Sequence, residues 1–452
     1  MRIKFVVAVF LLAVFSIDSK ASRECVIMDD ESEDFISEII YNVKKALKYN
    51  QDITVYILGD QTLNAGATQG GDVVINAGAI LRCDNVYEFI AIVAHEVGHI
   101  AGMHIATFLA NQKDFARAGL LTTLIGVTAS IVSGSVEPLL AGVMGGQSIG
   151  TGMALSKLRQ SEAIADTKAA QAVKQLQWPA FEGFVSIHKK LAANSMGIYN
   201  VYLSTHPQPQ DRIDKYLKFL NEEKGAKIPD KVSNLMAEYQ RRFETVKHKI
   251  RVLTLPAEDA LNIYSHPKNS YEKYAKAIAL YRNHKYESSI ALLNELTNQS
   301  EGITAQAYYA EIKAMSLINM KKRGEAAEVC RAALKNNRSM KTRRDLGIIY
   351  AHAVVEGSLK SHVENAIRVL KRIKIAKRED PFVVEKLGEL YSMKNMRDEA
   401  SLCAAEVALL TNDKKAAVIH AKKALKSNNK AIKRKAEDII LSVEPKKESP
   451  PY

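Results

Sequence analysis

The chain has 452 residues, 47% of them hydrophobic and 25% charged, which excludes a disordered polymer and allows two or three domains with ordinary cores. Lys and Arg number 63 against 50 Asp and Glu, and the surplus thickens toward the C-terminus. No RNP-type, zinc-finger or helix-turn-helix signature accompanies it, so the charge reads as solvated helix faces and no nucleic-acid partner is expected.

Residues 1–21 read as a cleaved signal peptide. "MRIK" is a short basic start, "FVVAVFLLAVFSI" an apolar core too short for an ordinary spanning helix, and "SKAS" puts Ser19 and Ala21 at the small-residue cleavage positions. Cys25, Cys83, Cys330 and Cys403 remain in the exported chain, and four thiols allow three pairings. Their spacing excludes a cysteine-type zinc cluster, and none lies beside a base that would make it a nucleophile.

Apolar residues at helical spacing predict a helix over Glu31 to Tyr49, followed by β-rich runs in "DITVYIL" and "GDVVINAG" with the Gly-rich turn "NAGATQGG" between them. A second helix starts near Asp84-Asn85, both good N-cap residues, and carries "HEVGH". Residues four apart on a helix share a face, so His95 and His99 can reach one cation with Glu96 beside it, the H-E-x-x-H arrangement of zinc peptidases. A catalytic zinc needs a third protein ligand and an open position for water. His104 is one residue short of the metzincin spacing and points off the His95 and His99 face, which makes it a packing or surface residue. "SEAIADTKAAQ" is a better source: Glu162 and Asp166 lie four apart on an alanine-rich helix, where one carboxylate can ligate the metal and the other can fix the tautomer of a ligand histidine.

Between these helices, 118–155 is an uncharged run broken at Glu137-Pro138, read as a helical hairpin packed on the protein or lying on a membrane surface, with a true span as the other reading. After about Pro256 the pattern changes to helical repeats. "LGIIY" (Leu346, Gly347, Tyr350) and "LGELY" (Leu387, Gly388, Tyr391) carry the tetratricopeptide L-G-x-x-Y signature, and Ala400, Ala326 with Ala333, and Ser289 take the small positions of partner helices. Four repeats closed by a capping helix near Ala431 to Leu441 are expected. The expected architecture is α+β and mostly helical: a signal peptide (1–21), a zincin-like metallopeptidase domain with a small sheet (22–255), a linker (256–268), an all-α tetratricopeptide solenoid (269–442) and a flexible tail (443–452).

"HEVGH" followed by "EAIAD", with "NAGATQGGDVVINAG" upstream and "THPQPQDRI" downstream, resembles the HtpX/BepA group of gluzincin metallopeptidases over about Glu31 to Leu255. The resemblance implies one zinc per chain held by His95, His99 and Glu162, with Asp166 behind the ligands and Glu96 as general base. It implies an edge strand along the cleft at Asn64, Ala65, Gly66, Ala67 and Thr68, although the family usually has a bulkier residue where Gly66 stands. By the same resemblance His206 occupies the open zinc position in a latent state, and Arg212 supports the site wall. His206 or Tyr202 would then stabilise the oxyanion. For the whole chain it implies a periplasmic endopeptidase acting on unfolded or misassembled envelope proteins, with repeats that recruit clients or the outer-membrane β-barrel assembly complex. Two other readings stand beside it: a repeat-based chaperone or scaffold with a latent metal site, and a membrane-embedded peptidase acting on inner-membrane proteins.

Overall fold

The computed structural model describes residues 8–9, 25–102, 148–193, 206 and 209–443, apart from 69, 226, 300–302, 337–342 and 377–379. The expected signal peptide other than Ala8–Val9, the stretch 118–147, His104, Tyr202 and the tail beyond 443 lie outside the described residues. Among those described, no helix is long and apolar enough to cross a membrane. The chain divides into two compact units, Met1–Pro256 and Ala257–Tyr452.

The first unit is α+β. Its elements in chain order are β1 (Ala8–Val9), β2 (Val26–Ile27), α1 (Asp30–Ala46), β3 (Val55–Leu58), β4 (Ala65–Ala67), β5 (Val73–Asn76), α2 (Ala77–Arg82), α3 (Val86–Ala101), α4 (Ser148–Leu176), α5 (Phe181–Ala193), α6 (Pro209–Glu222) and α7 (Asp230–Thr254). The sheet order is β1-β2-β3-β5-β4, with β3 and β5 parallel and β4 antiparallel on the outside of β5. Phe35, Ile36, Ile39, Ile40 and Val43 recur at helical spacing on α1 and share one core with Val55, Ile57, Val73 and Ile75 of the sheet. Asp29 caps α1 by accepting from the Ser32 N–H, and buried Lys249 of α7 reaches both Asp29 (2.6 Å) and Glu31 (2.9 Å). Burying this ion cluster ties the last helix of the unit to the first, and removing the cation alone would leave two desolvated carboxylates.

All four cysteines are free thiols and buried, so none of the three pairings open to them forms.

The second unit is an all-α array. It comprises α8 (Ala257–Ile263), α9 (Ser270–Arg282), α10 (Tyr286–Gln299), α11 (Ile303–Asn319), α12 (Arg323–Asn336), α13 (Arg344–Glu356), α14 (Val363–Ala376), α15 (Pro381–Met393), α16 (Arg397–Leu410), α17 (Lys414–Ala424) and α18 (Lys430–Val443). Residues 256–268, expected as a linker, contain α8; Glu258 and Asp259 in its first turn favour a helix there, and Ala260 is fully buried. His284, Lys321, Ser358 and Asn395 close the turns inside four successive helix pairs in the left-handed region, and they recur every 37 residues. Ser289, Ala326 and Ala400 fall on the same interval. The two L-G-x-x-Y stretches do not: Gly388 lies five residues before the end of α15 and Gly347 nine before the end of α13, one helical turn out of register. Each glycine still admits a partner helix, since an added Cβ would lie 2.3 Å from Ile373 Cδ1 at Gly347 and 3.2 Å from the Cys403 Cβ at Gly388. Instead of a lone capping helix after four repeats, α17 and α18 form a fifth, shorter pair.

Candidate metal centre

Helix α3 starts where its capping residues dictate. The Asn85 side chain accepts from the Glu88 N–H, while Glu88 accepts from the Asp84 N–H and also binds Ser186 and Lys190 of α5. From there the helix is apolar almost all round and is buried on every side, so the few polar groups it carries sit inside the unit. Gly98 decides how close α4 can come: a Cβ at that position would lie 2.5 Å from the Ala165 carbonyl oxygen. Ala165 stands between Glu162 and Asp166. The glycine inside "HEVGH" therefore lets the two carboxylates of α4 face the two histidines of α3.

The donor atoms converge. His95 Nε2 is 3.0 Å from His99 Nε2 and 3.3 Å from a Glu162 oxygen, and the other Glu162 oxygen is 3.2 Å from His99 Nε2. His206 completes the group, with Nδ1 at 3.0 Å from Glu162 and 3.3 Å from His95 Nε2. A tetrahedral ion with bonds of about 2.0–2.1 Å would place its ligand atoms roughly 3.3 Å apart, so the spacing fits zinc. Three imidazoles and a carboxylate are also the donor types zinc takes. Beside them Glu96 is completely buried, and neither carboxylate oxygen has a hydrogen-bond partner among the described residues; Oε1 lies 3.7 Å from His206 Nε2.

A layer of polar groups orients this cluster. Asp166 Oδ1 accepts from His95 Nδ1 (3.0 Å), from the Tyr216 hydroxyl (2.8 Å) and from Arg212 Nη2 (2.8 Å), while its other oxygen accepts from Arg212 Nε (2.9 Å). With Nδ1–H committed to Asp166, His95 presents its Nε2 lone pair to the centre. Arg212 also stands 3.1 Å from Glu162, so one guanidinium serves both carboxylates. Burial opposes charge on Glu162, but His206 and His95 outweigh it and hold the carboxyl well below its ordinary range. Asp166 is held low in the same way, burial being overcome by Arg212 and His95. Burial and Arg212 oppose charge on His95 too, yet Glu162 and Asp166 raise its pKa to about 9. The buried carboxylates thus favour positive charge at the centre, a demand that a divalent cation would meet.

His95, Glu96, His99, Glu162, Asp166, His206 and Arg212, all expected at the site, are brought together here. The expected edge strand also forms: β4 is outermost beside β5, and the Gly-rich turn expected across "NAGATQGG" begins only after Ala67. Because Asn64 and Thr68 bond to the β5 side, the alternation of an antiparallel pair turns the N–H and C=O groups of Ala65 and Ala67 toward the outer edge. Asn64 is buried beside them, and its Oδ1 has no partner among the described residues. Sequence reasoning missed Tyr216, four residues after Arg212 and thus on its helix face, and Ser161, whose hydroxyl lies 3.5 Å from His99 Nδ1. It also missed His188, which stacks against Tyr216 at 5.4 Å and gives Nδ1 to the Phe184 carbonyl. Burial and the Arg212 charge push the His188 pKa down to about 3.

With this geometry in place, the profile of peptidase family M48 matches residues 30–219. The part of the chain that bears the metal centre is thus similar to M48 peptidases. It is similar to the β-barrel assembly-enhancing protease of Yersinia pestis, 25% identical over 366 residues, covering 79% of this chain and 71% of the relative. The protein of the same name from Escherichia coli (strain K12) is 22% identical over 358 residues, covering 78% and 70%. A putative β-barrel assembly-enhancing protease of Vibrio cholerae is 25% identical over 203 residues, covering 42% and 40%. The resemblance read from the four sequence motifs is borne out, and the protein is a metalloprotease.

Proposed function

We propose that this metalloprotease is a zinc-dependent endopeptidase of the periplasm that cleaves unfolded or misassembled outer-membrane proteins, while its C-terminal helix pairs, read as tetratricopeptide repeats, recruit clients or the β-barrel assembly machinery. The observation that carries the chemistry is the convergence of His95, His99 and Glu162 beside a buried Glu96 that accepts no hydrogen bond from the described residues. The signal-peptide pattern and the names of the relatives support the compartment and the clients.

His95, His99 and Glu162 would hold the metal, oriented by Asp166 and Arg212. Zinc bound there supplies positive charge that polarises a peptide carbonyl and lowers the pKa of water. Neither Glu96 oxygen accepts a hydrogen bond from the described residues, so the carboxylate can take the proton from attacking water and return it to the leaving amine. Extended substrate pairs with the outward main-chain groups of Ala65 and Ala67, which gives affinity with little dependence on side chains. Main-chain recognition of that kind suits a protease whose clients share only the loss of folded structure.

His206 supports a second, compatible state. Its Nδ1 takes the fourth place in the donor set, the position substrate and water need, so the resting enzyme is latent until His206 moves aside; a chaperone role of the repeats would operate in that state. The test is metal content and peptide cleavage measured together. Glu96→Gln should keep about one zinc and lose turnover, whereas Glu162→Ala should lose zinc. Full zinc occupancy in Glu162→Ala would refute the ligand assignment. His206→Ala should retain zinc with one nitrogen fewer in its coordination shell by X-ray absorption; an unchanged shell ends the latency reading.

A further inference from the structure

The last helix pair differs from the rest of the array in how its charge is used. Helices α17 and α18 spend their apolar faces on each other and on α16, with Ala417, Ala421 and Ala424 in one cluster with Ile432, Ala436 and Ile439 and with Leu402, Ala405 and Ala408. Every Lys and Arg between 414 and 435 is exposed. There are nine, against Asp413, Glu437 and Asp438 as the only acidic residues from 413 to 438, so this short segment holds close to half of the chain's formal net charge of +13. Earlier in the array several basic residues are paired with acidic neighbours, as in Lys273 with Glu295, Arg323 with Glu356, Arg331 with Glu328 and Lys394 with Glu364. Among the described residues none of the nine forms an ion pair, and Asp413 is engaged in capping α17.

Unrelieved like charge on two packed helices is unfavourable in isolation, which points to an anionic partner. The side-chain chemistry says which kind. Eight of the nine are lysines, compact charges on flexible stems, where a shaped carboxylate or phosphate site would favour the planar fork of arginine. They are spread along two helices. Ile419 is 56% exposed and by helical spacing lies on the same face as Lys415, Lys422 and Lys423. An exposed apolar residue ringed by lysines suits a surface of diffuse negative charge over a hydrocarbon layer.

We propose that the α17–α18 pair docks the protein on anionic phospholipid headgroups, the lysines meeting phosphates and Ile419 entering the headgroup layer. The contact is electrostatic at long range and apolar at short range. It does not depend on the metal centre, so catalysis on a soluble peptide proceeds without it.

Vesicle co-sedimentation of the whole protein tests it. Binding is expected to phosphatidylcholine vesicles containing phosphatidylglycerol and not to phosphatidylcholine alone, and it should weaken as salt screens the charges. The exposed quadruple change Lys422→Glu, Lys423→Glu, Lys433→Glu and Lys435→Glu should weaken vesicle binding roughly tenfold or more while leaving helicity and peptide cleavage intact. Ile419→Ser should lower the binding that survives at high salt. Equal binding to neutral vesicles, or undiminished binding by the charge-reversed protein, would overturn the proposal. So would absence of vesicle binding together with charge-dependent binding to polyglutamate, which would assign the face to an acidic protein.

Discussion

Asp166 shows how a group that does not touch the metal position can set its properties. Tyr216, Arg212 and His95 all donate to this one carboxylate, so its orientation, and through it that of His95, depends on each. Tyr216→Phe keeps the ring that stacks on Phe184 at 4.4 Å and removes only the hydroxyl. Changes beside the ligands typically cost roughly 10 to 100-fold in metal affinity or activity, and Tyr216 is one residue further out, so a loss of up to about tenfold is expected. Chelator competition for zinc measures it, with thermal stability of the metal-free protein nearly unchanged. Its neighbour His188 makes a separate contribution. In the unfolded chain an imidazole takes up a proton below about pH 6.5, whereas His188 in the fold stays neutral down to about 3. The unfolded state therefore binds more protons between those limits, and stability that is fully present above about pH 6.5 is lost as pH falls toward 3. His188→Gln should flatten that limb of the melting-temperature profile, and an identical profile would show that the histidine is not the group responsible.

At the scale of elements, the close crossing of α3 and α4 is what turns two separated motifs into one site. Gly98→Ala would push a methyl group against the Ala165 carbonyl, and overpacking of this kind costs about 1–3 kcal/mol. Because Ala165 lies between Glu162 and Asp166, the same displacement should lower zinc affinity; a melting curve and a zinc titration on one preparation check both. The helix with "HEVGH" was legible in the sequence because its caps and its apolar character agree. Glu162 was legible as one of two carboxylates, and the family pattern chose between them. β4 was misread from its residues as part of a turn, since three small residues show no alternation of apolar and polar side chains. α8 was hidden in the expected linker for a related reason: a helix of seven residues is too short to display a period. Tyr216 gave no signal of its own, because a tyrosine four residues after an arginine is common on any helix. In the array, pattern matching found two Leu-Gly pairs and the structure shows them a helical turn apart, since a glycine is needed wherever helices approach closely and not at one register alone.

At the scale of the molecule, the division after Pro256 separates chemistry from the helix pairs. Every residue of the metal centre lies in Met1–Pro256, with its own core. A chain ending at 256 is expected to fold, bind zinc and cleave an unstructured peptide at a rate within a few-fold of the whole protein; loss of metal binding on truncation would show that the second unit supports the site. That second unit is built of neighbours contacting neighbours, so it should unfold in segments and not in one cooperative step. The left-handed turn residues at His284, Lys321, Ser358 and Asn395 give this array something like a reading frame. Excising 37 residues between two such turns rejoins equivalent points and leaves each later helix facing as before. Excising three fewer rotates everything downstream by about 300°, since each helical residue turns by about 100°. The array can thus gain or lose reach only in whole intervals, and any variant with a different number of pairs should differ in length by a multiple of that unit.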